Sequence, residues 1–308
     1  MKTVRVAVVG VGHLGQHHAR LLASMDGVQL VGICDTNRTR AEEIASKFGG
    51  QVFAESRDLL GRVDAVSVAV PTIAHVEIAL PFLDAGIATL VEKPIASSVT
   101  EADRLVDAAE RRGALLATGH TERFNPAVAA ALPLISEPRF IEIHRLGTFP
   151  ERSLDIDVIF DLMIHDLDLL LSVVKSEVAA IEAVGVNVLT PKADIANARL
   201  RFASGCIANV TASRISRERV RKARFFQNDA YVSIDYAAQE LEVFRLAKGG
   251  ARPIIHGGKV DVTNEEPLRR ELEDFVDAVR TRRKPGVTGR DGRDALALAT
   301  RVAETMET

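Results

Sequence analysis

The sequence predicts a chain in two parts: an α/β part built on a doubly wound parallel sheet, then an α+β part with an open, mostly antiparallel sheet. Three observations predict it. Up to about residue 120, short β-branched runs alternate with helical stretches, the grammar of a parallel sheet covered by helices on both faces. Beyond His120, strand-like runs follow one another at short spacing, as in antiparallel sheets. The 308 residues, 47% apolar and 26% charged, suffice for one or two domains with a sizeable core. The parts are expected to be residues 1–120 and 121–308, with the C-terminal helix able to pack back on the first.

In chain order, "VRVAVVG" is a β-branched run stopped by Gly10, as a buried strand is. "HLGQHHARLLASM" follows with Leu14, Leu21, Leu22 and Met25 at helical spacings. "VQLVGICD" reads as a strand and "TRAEEIASKFG" as a helix ended by Gly49 and Gly50. "VDAVSVAVP" and "AHVEIALPFLDAG" repeat the pair, and "ATLVEKP" begins another, with its helix over roughly Ser98 to Arg112 and a stop at Gly113. "ALLATGH" is the last strand of the first part.

The second part opens with the alternating "RFIEIHRLGTF" and a helix over "FDLMIHDLDLL". Strand-like runs follow: "VAAIEAVGVNVL", "IANARLRFA", "CIANVTASR", "RFFQNDAYVSIDY" and "LEVFRLA", with Ser204-Gly205 as a hairpin turn. Two helices close the chain. The first has Thr263 and Glu266 as a candidate capping box, Pro267 in its first turn, and one face of Leu268, Leu272, Phe275, Val276 and Val279.

Net charge of −3 argues against a general nucleic-acid or membrane binder. The basic run "RISRERVRKAR", Arg214 to Arg224, reads first as a solvated face and second as a site for a phosphate-bearing ligand. Cys34 and Cys206 lie outside any CxxC pattern, so neither a disulfide framework nor a zinc site is expected, and a reducing, cytoplasmic compartment fits. The apolar N-terminal run is too short for a signal peptide, and no stretch approaches a membrane span.

"VAVVGVGHLGQ" holds Gly10, Gly12 and Gly15 in a GxGxxG pattern after a strand and at the start of a helix, with Asp35 ending the next strand. That context is what a Rossmann dinucleotide site requires. Gly10 permits the tight turn, Gly12 lets the backbone approach a pyrophosphate, and Gly15 lets the helix pack closely on the strand. The helix N-terminus offers free N–H groups to the phosphates. Asp35 suits the ribose diol and repels a 2′-phosphate, so NAD is favoured over NADP. The candidate cofactor contacts are Gly10, Gly12, His13, Leu14, Gly15, Asp35, Thr36, Arg40, Pro71, Thr72, His75, Glu92 and Lys93. His13 and His17 stand i, i+4 as a metal pair would, but with no third ligand evident no metal is expected.

Wound as an α-helix, "FDLMIHDLDLL" puts Asp161, His165 and Asp168 in one stripe at i, i+4 and i+7, while Asp166 points elsewhere. Apolar residues occupy most of the remaining surface, so the helix is buried and its carboxylates need partners. The stripe is either a satisfied internal network, a divalent-ion site, or the lining of a ligand cleft. "VEKP", Glu92 to Pro94, ends a strand of the first part, and ligands of open α/β sheets bind beyond the carboxyl ends of the strands. Lys93 there is either a substrate contact or a surface ion-pair partner.

The glycine turn, "VEKP" and the Asp-x3-His-x2-Asp helix, in that order, resemble the Gfo/Idh/MocA oxidoreductase family over nearly the whole chain. The resemblance implies a Rossmann domain joined to a larger open-sheet domain that commonly drives oligomerisation, here as a homodimer or homotetramer. It implies hydride transfer between NAD(P) and a sugar or polyol hydroxyl, with Lys93 matching the family's motif lysine and Asp161 and His165 its Asp/His pair. "GHTERFNPA", Gly119 to Ala127, taken with "DLMIHDLDLL", is similar to the branch that oxidises the 3-hydroxyl of UDP-N-acetylglucosamine or a related UDP-sugar. The lead-in "LDIDVIF" departs from the Gly-rich one common in the family.

On that reading the catalytic residues are Lys93, His165 and Asp161. His165 accepts the hydroxyl proton, Lys93 stabilises the developing alkoxide and Asp161 orients the imidazole; Lys93 as base with His165 positioning is the permutation. The substrate-binding candidates are Lys93, Arg123, Asn125, Asp161, His165 and, for a diphosphate, Arg214. Arg123 serves equally as an ion pair at a hinge. Two other functions stay open: dehydrogenation of a free sugar or inositol, and a non-catalytic NAD-binding sugar sensor.

Overall fold

The computed structural model describes residues 3–149, 156–247 and 254–306. Leu154 and Asp155, the start of the unusual lead-in, fall outside them. Contacts divide the chain into two units, residues 1–121 with 266–296 and residues 122–265 with 297–308.

The first unit begins with the β-branched run, now strand β1 (Val4–Val9). It continues through α1 (Gly15–Ala23), β2 (Val28–Cys34), α2 (Arg38–Phe48), β3 (Gln51–Phe53), β4 (Ala65–Val68), α3 (His75–Asp84), β5 (Ala88–Glu92), α4 (Val99–Arg112) and β6 (Leu116–Gly119). The six strands form one sheet in the order β3-β2-β1-β4-β5-β6, every pair parallel. Strands buried on both faces read as continuous apolar runs, and Val6, Val8, Val66, Val68, Leu90 and Val91 are all sealed from solvent. Burying each such side chain stabilises the fold by about 1.5–3 kcal/mol. The order turns back between β1 and β4, and the crevice beyond the strand ends at such a switch point is where ligands of open α/β sheets bind.

The second unit opens with α5 (Pro126–Ala131), β7 (Phe140–Leu146) and a helix whose first turn, Ile159–Met163, is π-helical before α6 (Ile164–Val173). Strands β8 (Val178–Val186), β9 (Ile195–Phe202), β10 (Ile207–Ser213), β11 (Val220–Phe226), β12 (Ala230–Asp235), β13 (Glu240–Ala247) and β14 (Ile254–Val260) complete an eight-stranded sheet. Its order is β14-β13-β12-β11-β7-β10-β9-β8, and the β7–β10 pair alone among its ladders is parallel. Alternation along β7 buries Ile141, Ile143 and Arg145 and leaves Phe140, Glu142, His144 and Leu146 half-exposed.

The closing helices are α7 (Pro267–Thr281), in the first unit, and α8 (Gly289–Thr305), which starts there. Leu272, Phe275 and Val276 of α7 join the core around β1 and α1. The expected capping box does not form: Glu266 is the N-cap, its side chain makes no cap bond, and Pro267 at the first helical position supplies the start. "RFFQNDAYVSIDY" is not one strand but the hairpin β11–β12, closed where the Gln227 N–H donates to the Ala230 carbonyl at 2.8 Å.

Candidate functional site

The glycine turn is built by steric exclusion. Gly10 has φ +84°, and a Cβ there would stand 2.7 Å from the Ala69 carbonyl oxygen; one on Gly15 would stand 1.8 Å from the Gly10 oxygen. Gly12 differs, because its Cβ would meet nothing within 4 Å. The chain there is bare backbone beside open space at the start of α1, whose first N–H groups no side chain caps. Asp35, just past β2, accepts from the Val11 N–H at 2.7 Å and the Asn37 N–H at 2.8 Å. It thereby ties the glycine turn to the second strand. Arg40 donates to the Val11 carbonyl at 3.0 Å and to Gln16 at 2.7 Å, and pairs with Glu43. His13, Leu14, Thr36 and Pro71 are exposed, and Thr72 is half-buried. These residues fit a dinucleotide: a bare backbone cradle, uncapped amides, and an anchored carboxylate at the end of β2. His13 and His17 meet edge to face, their rings 5.9 Å apart, and among the described residues no His, Cys, Asp or Glu group of three or more is arranged to hold a metal.

Lys93 follows β5 and is half-buried, and its peptide bond to Pro94 is cis. Two other residues of the cofactor set face inward. Glu92 is 6% exposed and its carboxylate meets His18 Nε2 at 3.0 Å. His75 is 1% exposed, its Nδ1 lying 2.9 Å from the Pro94 carbonyl and its Nε2 2.9 Å from that of Val70. Both imidazole nitrogens thus face protein carbonyls and one of them donates, which corrects the expectation of a His75 side chain turned to cofactor. Burial pushes the His75 pKa down, against the two carbonyls and the charge of Glu92. His18, which no motif in the sequence singles out, is fully buried. Its position, three residues past Gly15 on the apolar side of α1, is the signal that marks it.

In the second unit the helix of the opening stripe is wound differently than expected. Its first turn is π-helical, a form that recurs at functional sites, so Asp161 leaves the regular i, i+4, i+7 line. Asp161 and His165 remain half-exposed, whereas Asp168 is buried and its carboxylate lies 3.5 Å from Arg123. Arg123 therefore makes an ion pair inside this unit. Asp166 is sealed in and held by both arms of Arg145, at 2.8 and 2.7 Å. Arg145 also reaches Glu122 at 2.9 Å and lies over the Tyr236 ring. Burial pushes the Asp166 pKa up, against the Arg145 charge. Arg145 was missed because one arginine in an alternating strand carries no sequence signal of its own.

Two substrate candidates are corrected. Arg214, 2% exposed, pairs with Asp194 at 2.9 Å and donates to the Ile156 carbonyl and the Thr190 hydroxyl at 2.8 and 2.9 Å. Asp194 in turn accepts from the Val188, Leu189 and Thr190 N–H groups. This is a buried charge given partners on every side, as desolvation demands. Asn125 is the N-cap of α5, accepting from the Ala127 N–H at 3.1 Å and donating to the Tyr236 carbonyl at 3.0 Å.

Comparison with known proteins bears on both units. The family model described as "Oxidoreductase family, NAD-binding Rossmann fold" of the GFO/IDH/MocA group matches residues 4–120, and the GFO/IDH/MocA C-terminal domain model matches residues 136–232. A curated relative, UDP-N-acetylglucosamine 3-dehydrogenase of Acidithiobacillus ferrooxidans, is 39% identical over 307 residues, covering 99% of this chain and 97% of its own. A solved structure of that enzyme, GnnA, superposes with a TM-score of 0.93, covering 99% of this chain and 98% of that one. The scyllo-inositol 2-dehydrogenase (NAD(+)) of Bacillus subtilis is 27% identical, over 94% of this chain and 90% of its own. Levoglucosan dehydrogenase, solved with NADH and levoglucosan, shares the fold at 20% identity with a TM-score of 0.89, covering 99% and 97% of the two chains.

Proposed function

We propose an activity for this chain from one premise: it belongs to the Gfo/Idh/MocA oxidoreductase family, whose N-terminal domain is an NAD-binding Rossmann fold. The chain is an NAD-dependent dehydrogenase of a sugar CH–OH group, and its substrate is UDP-N-acetylglucosamine or a related UDP-sugar, oxidised at the 3-hydroxyl. The observation that carries this reading is the 39% identity over almost the full length of both chains to an enzyme of that name. The inositol dehydrogenases match at lower identity, which places a free polyol second. The sensor reading is not favoured, since the relatives are named dehydrogenases.

The backbone at Gly12, the amides opening α1 and the Asp35 carboxylate would hold the cofactor's pyrophosphate and ribose. Held there, NAD would supply the acceptor for the hydride that leaves the substrate carbon. Lys93 donates to the hydroxyl oxygen and stabilises the alkoxide that develops. His165 accepts the hydroxyl proton as a neutral imidazole, and Asp161, one turn earlier, orients it; the roles of His165 and Lys93 as base exchange in the alternative assignment. With Arg214 buried, the diphosphate falls to the exposed arginines of the same run, Arg217, Arg219 and Arg221.

The half-exposed aromatic row Phe140, Phe226, Tyr231 and Phe244, with ring centroids 5.6, 5.0 and 6.2 Å apart across four strands, suits contact with a second copy of the chain. Cys34 and Cys206 are free and buried, and burial pushes each thiol up to about 11, in keeping with a reducing cytoplasm.

The test is a single-turnover reaction with enzyme stoichiometric to NAD, mixed separately with UDP-N-acetylglucosamine, free N-acetylglucosamine, glucose and myo-inositol. Reduced nicotinamide forming with the UDP-sugar alone supports the proposal. Formation with free polyols alone would discard the nucleotide-sugar assignment and keep the chemistry.

A further inference from the structure

A lysine that must stabilise charge on one oxygen has to be held to within a fraction of an ångström. A misplacement of about 1 Å can reduce the rate about 100-fold. Lysine is poorly suited to that by itself, having a flexible four-carbon stem. The backbone that carries Lys93 is held from two sides by groups to which the proposed chemistry gives no role.

From below, the Lys93 N–H donates to Glu92 Oε2 at 3.2 Å, and Glu92 Oε1 lies 3.0 Å from His18 Nε2. His18 Nδ1 lies 2.8 Å from the Ser67 hydroxyl on β4. His18 and Ser67 are both 0% exposed and Glu92 is 6% exposed. A carboxylate only accepts, so the tautomer that suits these contacts has its proton on Nε2, facing Glu92, with Nδ1 accepting from the Ser67 hydroxyl. The neighbouring strand leaves room for this arrangement: a Cβ on Gly119 of β6 would stand 2.9 Å from the Glu92 carboxyl carbon. From the side, the buried His75 ring lies between the Pro94 and Val70 carbonyls, 2.9 Å from each, and its N–H donates to one of them. Elements α1, β4, β6 and α3 therefore all bear on the turn after β5.

We propose that His18 and His75 are positioning residues for Lys93, His18 acting through Glu92 on the lysine's N–H and His75 acting on the Pro94 carbonyl. The proposal rests on the reading that Lys93 acts on the substrate oxygen. It also explains why an ionisable residue is kept at a fully buried position of α1, where an apolar side chain is the default choice for packing.

The experiment compares wild type with His18→Leu, His18→Gln, Glu92→Gln, the His18→Leu/Glu92→Gln double variant and His75→Leu. It reads the single-turnover rate with UDP-N-acetylglucosamine, the Kd for NAD, the melting temperature, and the NMR shift of the Lys93 amide in selectively labelled protein. His18→Leu is expected to slow turnover about 10-fold to 100-fold with the NAD Kd changed by less than about twofold, and to move the Lys93 amide. His18→Gln, which retains a donor for Glu92, restores most of the rate. The double variant is no slower than Glu92→Gln, since both act through one chain of contacts. His75→Leu slows turnover as well, and its loss multiplies with that of His18→Leu.

An unchanged rate and an unmoved Lys93 amide in folded His18→Leu would overturn the proposal, as would losses that multiply in the double variant. Should His18→Leu fail to fold, Ser67→Ala, which removes one hydroxyl, takes its place and must shift the Lys93 amide and slow turnover. A silent wild type would fault the functional reading instead, and the amide shift would still decide the positioning claim.

Discussion

The two units hold their candidate sites by different means. In the first, the candidate cofactor site is shaped by backbone: Gly10 and Gly15 are excluded from carrying a Cβ by contacts at 2.7 and 1.8 Å, and Gly12 faces open space. In the second, the site is made of side chains, and side chains of the same types are also used to build the unit. Asp166 goes to Arg145, Asp194 to Arg214 and Asp168 to Arg123, and Asn125 caps a helix. A glycine pattern has few uses, whereas an arginine or aspartate has many. Motifs that work through backbone are therefore legible in sequence, and motifs that work through side chains become so only when their neighbours are known.

Four expectations sharpen this contrast, from the largest effect to the smallest. Asp194→Asn strips the buried Arg214 of its counter-charge and should lower stability by about 3–5 kcal/mol in urea unfolding, with the NAD Kd unchanged. Loss of NAD affinity on that substitution would break the contrast. Gly12→Val adds a side chain where the fold has room and a ligand would approach. It should melt within a few degrees of wild type yet weaken NAD binding about 100-fold, equivalent to about 2.7 kcal/mol, by titration calorimetry.

Asp35→Asn removes the charge and keeps only one of the two oxygens that accept from the Val11 and Asn37 N–H groups, so the preference for NAD over NADP should fall about 10-fold in parallel binding titrations. An unchanged preference would place the discrimination elsewhere. The smallest effect concerns Glu271 on α7, 2% exposed. Burial first, then the charge of Glu92, pushes its carboxyl well above the usual carboxylate range. Such a group binds a proton on folding and so weakens the fold as pH rises above its unfolded pKa of about 4.3. Glu271→Gln should raise the melting temperature at pH 8 by about 2–4 °C, and the gain should fade as pH drops below about 4.3 and vanish at about pH 3, where both states are protonated.

Much of the fold was legible. The alternation of β-branched runs and helices marked five of the six parallel strands, because strands buried on both faces leave continuous apolar signatures. Strand β3 is three residues long and too short to show a period. In the second unit β14 was missed: "IIHGGKV" carries two adjacent glycines, and it is a strand because β13 pairs with it along its length, not because its composition favours one. The π-helical turn at Ile159–Met163 was invisible for a related reason, since apolar spacing reports an average helix and not a local change of pitch.

The candidate site divides the same way. The glycine turn and Asp35 were read with their reasons, and Lys93 stood out through its place at a strand end. What escaped was the layer behind them, His18 and Arg145, whose importance lies in partners 74 and 21 positions away in the chain. No local pattern links His18 to Glu92; only the parallel order of β1, β4 and β5 brings them together.

The claim at the centre of this account is that the first unit binds NAD through backbone while Lys93 supplies the chemistry. The most direct measurement pairs NAD titration with single-turnover formation of reduced nicotinamide from UDP-N-acetylglucosamine, in wild type and Lys93→Met. The account predicts an NAD Kd within about twofold of wild type and a rate reduced at least about 1000-fold. Turnover in Lys93→Met at a rate near that of wild type would contradict it.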